Sequence, residues 1–297
     1  MAPKKSDRKW SLVERSRNVH SINVNLSGRQ DGATFLLVSD VHWDNPHCDR
    51  NLLKRHFDEA VANDCPIISV GDFFCAMQGK YDKRSDKSDV RPEHQRGDYL
   101  DRLVDTAAEW FYPYRNHLAV MGVGNHETSV KSRHETCLLD RLCGKIRDKG
   151  GITRLGGYAG WVRLQFHRAG RPANSLNIWY HHGFGGGGPV TQGKIDFNRY
   201  GSYVDADVIA CGHVHYKECF PVTRAYLSQQ SIPSTRTMYC VRLGTYKDEW
   251  QDGHGGFHIE KGRGPRPLGG YWMKLGMDRS DSETSRLAVE FRDAGQL

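Results

Sequence analysis

The chain has 297 residues, of which 38% are hydrophobic and 26% are charged, and its formal net charge is +7. This composition is typical of a globular protein and excludes an intrinsically disordered chain. No apolar run reaches the eighteen or more residues that a membrane-spanning helix needs, so no membrane partner is expected. The modest basic excess favours phosphate-bearing partners, although an ordinary solvated basic surface explains the charge at least as well.

The first ten residues are basic and polar, and the apolar segment of a secretory signal does not follow them. The eight cysteines include no C-x-x-C pair, so a zinc ribbon is not indicated. We therefore expect reduced thiols and a cytoplasmic location.

Residues 1–30 are predicted to form a polar N-terminal arm, in which only residues 20–26 have the pattern of a strand. We assign residues 31–297 to one α/β domain. The first half of this domain alternates short apolar runs, typical of buried strands, with apolar residues at helical spacing. The predicted strands and helices of this half are 34–39, 52–61, 67–70, 100–111, 118–123 and 138–146.

A charged insertion interrupts this alternation at residues 77–97, which are rich in Lys, Arg, Asp and Ser. It is predicted to be exposed, either as a lid over a site or as a simple solvated loop. The second half of the domain consists mainly of strands. The predicted ones are 160–167, 176–180, 208–211, 271–275 and 286–292. Elements in this order favour a layered α/β fold of a single domain.

Five short blocks of the chain contain residue types that bind metal ions. In chain order they are Asp40–His42, Gly71–Asp72, Gly124–Glu127, His181–His182 and Gly212–His215. Each block apart from the fourth comes directly after a predicted strand, so its side chains are expected to point into one shared crevice. Aspartate, asparagine and histidine offer the oxygen and nitrogen ligands that suit Mn, Fe, Zn or Co. One block alone is a common chance pattern, but the five together indicate a metal-dependent hydrolase.

The spacing within the blocks gives several side chains an expected place. Asp40 and His42 are two residues apart, so the alternation of a strand puts them on one side, and His213 and His215 form a second such pair. The Asp72 carboxylate has two oxygens and can bridge two cations. Each pair is therefore expected to converge on one metal ion.

The motifs D-x-H, G-D, G-N-H-E, a histidine block and G-H-x-H resemble those of the calcineurin-like metallophosphoesterase superfamily, over residues 35 to about 216. The resemblance implies a β-sandwich flanked by helices, with two divalent metal ions at the strand ends. Mn²⁺ is the favoured ion, and Fe, Zn, Ni or Co are alternatives. The resemblance also implies a phosphoesterase whose nucleophile is a hydroxide that bridges the two ions.

A ligand set is implied by the same resemblance. The ligands of the first ion would be Asp40, His42, Asp72 and His215. The ligands of the second ion would be Asp72, Asn125, His181 and His213. His126 would be the acid that protonates the leaving oxygen or steadies the transferring phosphoryl group.

Two positions depart from the usual superfamily pattern. Cys75 stands three residues after the bridging Asp72, where many members have a second acid or amide. The fourth block offers two histidines, and we prefer His181 as the ligand because in the superfamily a ligand histidine typically ends the strand. His182 would then lie behind the ligands or contact a phosphate.

The substrate is less well defined than the metal site. Arg133 and His134 are candidates for contact with a phosphate or a leaving group, or else solvent-facing residues of a helix. The favoured function is a phosphodiesterase that acts on nucleotides or nucleic acid. The basic net charge and the charged insertion at residues 77–97 favour this function. A phosphomonoesterase or phosphatase is the alternative, although the extension G-D-x-V-D-R-G of protein phosphatases is absent. A metal-stabilised, non-catalytic assembly protein is a third reading, and the intact His126 argues against it.

Overall fold

Two β-sheets pack face to face in the computed structural model, and helices cover their outer surfaces. The structure describes residues 8–28, 31–76, 78, 89–188, 190–251, 253–254, 257–260, 262–277 and 287–295. The strands are β1 (Trp10–Ser16), β2 (Val19–Leu26), β3 (Ala33–Val38), β4 (Ile67–Val70), β5 (Leu118–Gly122), β6 (Arg154–Leu155), β7 (Ala159–Arg168), β8 (Arg171–His181), β9 (Val208–Cys211), β10 (Glu218–Leu227), β11 (Pro233–Arg242), β12 (Gly270–Met277) and β13 (Leu287–Ala294). The helices are α1 (Arg50–Ala62), α2 (Tyr99–Trp110), α3 (Asn125–His134), α4 (Leu138–Asp148), α5 (Lys194–Tyr203) and the short α6 (Phe257–Glu260).

The strand order brings the ends of the central strands together. The six-stranded sheet has the order β13-β12-β3-β4-β5-β6, and the seven-stranded sheet has the order β1-β2-β7-β8-β9-β11-β10. Strands β3, β4 and β5 are parallel to one another, and β8 is parallel to β9. The loops that leave these strands therefore emerge at the same edge of each sheet, where ligands commonly bind in α/β proteins.

Three apolar layers hold the sheets and helices in place. Alternation along β3 sends Phe35 and Leu37 into the layer between the sheets, and Leu36 and Val38 into the layer under helices α1 to α4. A third, smaller layer lies between the seven-stranded sheet and α5, where Tyr200 packs. Because β3 is buried on both faces, its continuous apolar run is explained.

The predicted fold class, a β-sandwich flanked by helices, is confirmed. Strands β4 and β9 have the predicted bounds, and β3 and β5 end one residue earlier than predicted. The described residues of the stretch 253–269 are mostly irregular apart from α6.

The polar arm predicted for residues 1–30 is wrong over residues 10–19, whereas the strand predicted within it at 20–26 is confirmed as part of β2. Residues 10–26 form a β1–β2 hairpin at one edge of the seven-stranded sheet, where β2 pairs in parallel with β7. Trp10 and Ile22 are buried between the sheets, and the Trp10 indole N–H donates to the backbone oxygen of Asp64 at 2.9 Å. The segment is thus part of the sheet.

Most of the predicted charged insertion, namely residue 77 and residues 79–88, lies outside the described residues. The described residues 89–97 are packed against the domain at two points, because the side chains of Val90 and His94 are buried. A short 3-10 turn, Pro92–His94, leads toward α2. None of the helices in the described part of the chain is long and apolar enough to cross a membrane. All eight cysteines carry free thiols.

Candidate metal centre

The five blocks meet at the edge where the two sheets come together. The first two follow β3 and β4, the third begins α3 directly after β5, and the last two follow β8 and β9. Their backbones are joined by hydrogen bonds: the Asp40 N–H donates to Gly71 O at 3.1 Å, and the Gly212 N–H donates to His182 O at 2.9 Å. The sheet order therefore brings together blocks that are far apart in the sequence.

A first group of potential ligands contains Asp40, His42 and His215, whose ligand atoms lie within 4.8 Å of one another. The Nε2 atoms of His42 and His215 are 3.3 Å apart, and the His215 Nε2 lies 3.2 Å from Asp40 Oδ1. The second carboxylate oxygen, Asp40 Oδ2, accepts the backbone N–H of His213 at 2.9 Å. This bond fixes the carboxylate while Oδ1 faces the histidines.

A second group contains Asp72, His182 and His213, again within 4.8 Å. The His182 Nε2 lies 3.1 Å from Asp72 Oδ2 and 3.0 Å from Asn125 Oδ1. The His213 Nδ1 lies 2.7 Å from the same Asn125 oxygen. The other Asp72 oxygen accepts the backbone N–H of His126 at 2.9 Å. Three of the blocks thus contribute to this group and a fourth braces it.

The preference for His181 over His182 is wrong, because the two side chains lie on opposite sides of the loop. The His181 Nδ1 accepts the Gly183 N–H at 2.9 Å and lies 3.0 Å from the Tyr200 hydroxyl, so its ring faces α5. The next residue leaves the strand, and the fully buried His182 ring faces Asp72 instead. We therefore replace His181 by His182 in the candidate ligand set.

The outer nitrogens of three histidines show which nitrogen each one offers to the centre. The Nδ1–H of His182 donates to Val70 O at 3.0 Å, and the Nε2–H of His213 donates to Gly185 O at 2.9 Å. The His215 Nδ1 lies 3.4 Å from the Glu249 carboxylate. A carbonyl or carboxylate behind each ring is the usual partner of a metal-binding histidine, because it fixes the tautomer.

With these tautomers, unprotonated ring nitrogens face carbonyl or carboxylate oxygens. A bound cation would remove the repulsion between their lone pairs. His213 donates through Nε2, so its Nδ1 carries a lone pair and meets the Asn125 carbonyl oxygen at 2.7 Å. Beyond its ion-pair contact with the His215 Nε2, the buried Asp40 Oδ1 has no hydrogen-bond partner among the described residues, and the buried His42 Nδ1 has none among them either. The donor set and its unpartnered atoms therefore fit divalent metal ions.

The electrostatics of the metal-free protein agree with this fit. Burial lowers the pKa of His182, but the Asp72 carboxylate more than offsets it and raises the pKa to about 10. Burial also lowers the pKa of His215, and Asp40 more than offsets it and raises it to about 9. Burial raises the pKa of the Asp40 carboxyl, whereas His215 lowers it to about 2. Protons on the two histidines thus neutralise the carboxylates, and a metal ion has to displace them.

The glycines of the motifs make room for ligands of other motifs. A Cβ on Gly212 would lie 2.5 Å from Asp40 Oδ2, and a Cβ on Gly124 would lie 2.0 Å from Asp72 Oδ1. A Cβ on Gly71, whose φ is +97°, would lie 2.5 Å from the Nδ1 of His182. Contacts this short do not occur with a real Cβ, so each glycine is required by a neighbouring block.

Strained backbone is concentrated at the same place. The φ angles are 49° at Asp40, 46° at His42, 46° at Asp72, 74° at His213 and 57° at His215. Left-handed conformations cost a non-glycine residue about 1–3 kcal/mol each and gather at functional sites. These five strained conformations lower the stability of the fold, and they orient the five side chains toward the centre.

His126 has the placement of an acid beside the ligands. Its Nδ1–H donates to the backbone oxygen of Cys75 at 2.5 Å, because a carbonyl can only accept. This bond directs Nε2 toward the centre, where it lies 3.7 Å from Asp72 Oδ2. A proton on Nε2 would therefore face a group bound at the metals.

Three acidic residues outside the predicted ligand set support the centre from behind. Glu249 contacts His215 and also lies 2.7 Å from the His258 Nε2 and 2.8 Å from the Lys247 Nζ. Glu127, the last residue of the third block, accepts the N–H groups of Phe74 and Gly124. Asp44 accepts the N–H groups that follow the second block, at 2.6 and 2.8 Å. In the sequence, the only sign of a supporting role for Asp44 and Glu127 is that each lies within or next to a motif.

Two predicted substrate contacts lie away from the centre. Arg133 is exposed and His134 half-buried at the end of α3, about 14 Å along the helix from its first residue, Asn125. His134 instead lines a cavity of about 690 Å³ beside the start of α2.

Cys75 is buried close to His42 and His126, and Asn45 donates to its Sγ at 3.4 Å. It thus occupies a place beside the first group of ligands.

No family model and no curated protein matches the chain. Several solved structures are similar at low identity. A conserved uncharacterized protein from Streptococcus pneumoniae TIGR4, described as a predicted phosphoesterase, is 13% identical over 89% of this chain and 91% of its own, with a TM-score of 0.29. Vps29 from Chaetomium thermophilum is 13% identical over 88% of this chain and 97% of its own (TM-score 0.28). A metallophosphoesterase from Sphaerobacter thermophilus is 11% identical over 89% of each chain (TM-score 0.29).

TM-scores of this size carry no argument about the present chain. The resemblance to the calcineurin-like metallophosphoesterases therefore rests on the five motifs and on the groups of side chains that they bring together.

Proposed function

We propose that this protein is a calcineurin-like, binuclear metal-dependent phosphoester hydrolase. The observation that carries the proposal is the pair of adjacent ligand groups, in which three histidines have a carbonyl or carboxylate behind them and their other nitrogens inside. A purely structural site would not need His126 beside these groups. The proposed ligands are Asp40, His42, Asp72, Asn125, His182, His213 and His215.

The residues of the chain have separate tasks in the proposed reaction. Two divalent ions, with Mn²⁺ favoured, would supply Lewis-acid activation of a water nucleophile and neutralise charge on the phosphoryl oxygens. Asp72 links the two groups, because its carboxylate meets His182 and its backbone oxygen accepts the His42 N–H at 3.1 Å. His126 is fixed by the Cys75 carbonyl so that its Nε2 can give a proton to the leaving oxygen.

We favour a diester substrate over a monoester. The residues after the second block, Phe73 and Phe74, are fully buried in the core. Cys75 and Ala76, which follow them and are also buried, stand where the extension G-D-x-V-D-R-G of protein phosphatases has its acidic and basic residues, so these two positions offer no extra cation for a phosphate dianion. The formal net charge of +7 supports a nucleotide or nucleic acid as the substrate.

Initial rates on bis(p-nitrophenyl) phosphate and on p-nitrophenyl phosphate test the proposal, with added Mn²⁺ and with a chelator. The expected result is a chelator-sensitive rate that is higher on the diester. A higher rate on the monoester would change the assignment to a phosphatase. Inactivity on both substrates in a protein that binds two Mn²⁺ ions would favour a non-catalytic assembly protein.

The His126→Ala variant separates the metal site from the chemistry. We expect unchanged metal content and a rate lower by about 10²- to 10⁴-fold, which is the usual contribution of a positioned acid. Loss of metal together with activity would instead show that His126 helps to hold the ligands.

A further inference from the structure

An exposed aromatic ring follows the fourth block and packs near His181 and α5. Phe184 follows His182 by two residues, and its side chain is 40% exposed. The guanidinium carbon of Arg199, on α5, lies 5.7 Å from the centre of the Phe184 ring. Arg199 and Tyr203 are four residues apart and share the solvent face of α5, where Tyr203 is 68% exposed.

Helix α5 is fixed relative to the metal centre by a buried arginine. Arg242 donates to the Gly193 carbonyl at the start of α5, to the Asp196 carboxylate and to the Gly212 carbonyl in the fifth block. These bonds are 2.6 to 3.2 Å long, and the Arg242 side chain is fully buried. Phe184 and Arg199 are therefore held at a set distance from the ligands.

A second arginine–aromatic pair follows the fifth block. Tyr216 follows His215 directly, and the guanidinium carbon of Arg266 lies 3.6 Å from the centre of its ring. The Arg266 Nε is buried and has no hydrogen-bond partner within the described part of the chain. A Cβ on Gly187 would lie 3.6 Å from the Tyr216 ring, so the glycine run passes between the two pairs.

We propose that these pairs form a track for single-stranded nucleic acid across the metal centre, an inference that rests on the proposed phosphodiesterase function and names its substrate class. An unpaired base stacks on Phe184, and Arg199 and Arg266 contact phosphates on either side of the scissile one. Tyr216 is a positioning residue, because it is covered by Arg266 and Gly187 and holds the guanidinium flat.

The arrangement fits a single strand better than other phosphodiesters. A mononucleotide would use one arginine and one ring, whereas the chain offers two such pairs, one after the fourth block and one after the fifth. In a duplex the bases are paired and stacked inside, so Phe184 would have no base face to meet. Aromatic platforms beside a cationic path are the general means by which proteins hold single strands without reading their sequence.

Binding of short fluorescein-labelled oligothymidylate and oligouridylate tests the track, by fluorescence anisotropy at several salt concentrations without added metal. Phe184→Ala should weaken binding by about 5- to 150-fold, since stacking on one aromatic ring contributes about 1–3 kcal/mol per base. Phe184→Trp should retain it. Arg266→Gln and Arg199→Gln should each reduce the slope of log K against log salt by about 0.7, the value for one phosphate contact on a single strand.

The control is Tyr226→Ala, which removes a 52% exposed tyrosine on the β10–β11 hairpin and should leave binding unchanged. A preference for the deoxy- or the ribo-oligonucleotide identifies the strand and supports the track in either case. Binding by Phe184→Ala and Arg266→Gln that equals wild-type binding would overturn it.

Hydrolysis separates this inference from the proposed function. In the Mn²⁺ protein, Phe184→Ala should reduce kcat/KM on the oligonucleotide by a larger factor than on bis(p-nitrophenyl) phosphate. Equal losses on both substrates would overturn the track, because Phe184 would then act only through the metal site. Phe184-dependent binding in a protein without diesterase activity would support the track and refute the proposed hydrolase.

Discussion

Glu249 offers the sharpest test of the metal centre, because it touches a proposed ligand without being one. In Glu249→Gln the carboxylate behind the His215 Nδ1, now at 3.4 Å, becomes a neutral amide. The amide no longer favours the tautomer that leaves a lone pair on Nε2. Loss of such an outer partner typically costs 10- to 100-fold in metal affinity. This factor corresponds to about 1.4–2.7 kcal/mol of binding free energy.

The same change also affects stability, since Lys247 loses the charge that faces its Nζ at 2.8 Å. The two side chains are only 9% and 10% exposed, so breaking this pair is expected to lower the free energy of unfolding by about 3 kcal/mol. Lys247→Met is the matched control. It removes the other half of the ion pair but leaves Glu249 beside His215.

Isothermal titration of the metal-free variants with Mn²⁺, after circular dichroism has shown that they are folded, measures the effect directly. We expect weaker binding in Glu249→Gln and near wild-type binding in Lys247→Met. Equal affinities of wild type and a folded Glu249→Gln protein would refute the reasoning. So would an equal loss in both variants, because the effect would then follow from the broken ion pair.

Three further predictions concern the ligands, the glycines and the pH dependence of stability. His182→Gln should lower the Mn²⁺ affinity by more than about 100-fold, beyond the loss of an outer partner, whereas His181→Gln should retain it; calorimetry distinguishes them. Gly212→Ala should lower the free energy of unfolding by about 1–3 kcal/mol, because its Cβ would overlap the Ser39 and Asp40 side chains; urea denaturation measures this. Burial lowers the pKa of His56 to about 4, so unfolding takes up a proton between that value and about 6.5. Stability should therefore fall by as much as about 3 kcal/mol as the pH drops through this window, and His56→Leu should flatten the fall, as measured by denaturation at each pH.

Matched variants sharpen the last two predictions. Gly144→Ala, where a Cβ meets nothing within 4 Å inside α4, should be neutral or stabilising. An equal loss in both glycine variants would contradict the proposed overlap. His56→Leu should be made together with Tyr246→Phe, because the tyrosine hydroxyl lies 2.8 Å from the His56 Nδ1 and would otherwise be left unpaired. A pH profile unchanged in this pair would assign the acid sensitivity to other groups.

The strands that precede the motifs could be predicted because strands buried on both faces have continuous apolar sequences. Strands β4 and β9 are buried at every position, so they appear as uninterrupted apolar runs. The β1–β2 hairpin lacked this signal. Most of β1 faces solvent, and β2 has two buried polar residues near its start, His20 and Ser21. Only its pairing with β7, far along the chain, reveals it as part of the sheet.

The choice between His181 and His182 could have been made from alternation. Leu176, Ile178 and Tyr180 form the apolar face of β8 between the sheets, so His181 must point to the other face. The proposed ligand, His182, is therefore the first residue beyond the strand. No comparable pattern existed for Glu249 and Arg266, which come from irregular segments and reach the centre through tertiary packing alone.

The glycines that admit ligands from other blocks have a consequence for how such a site can change over generations. A side chain gained at Gly124 displaces a carboxylate of the second block, and one gained at Gly212 displaces a carboxylate of the first. No second substitution within the same block restores the lost space. The effect of a substitution in one block thus depends on the residues of another block. A lineage is therefore expected to keep all of the blocks or to lose them within a few substitutions.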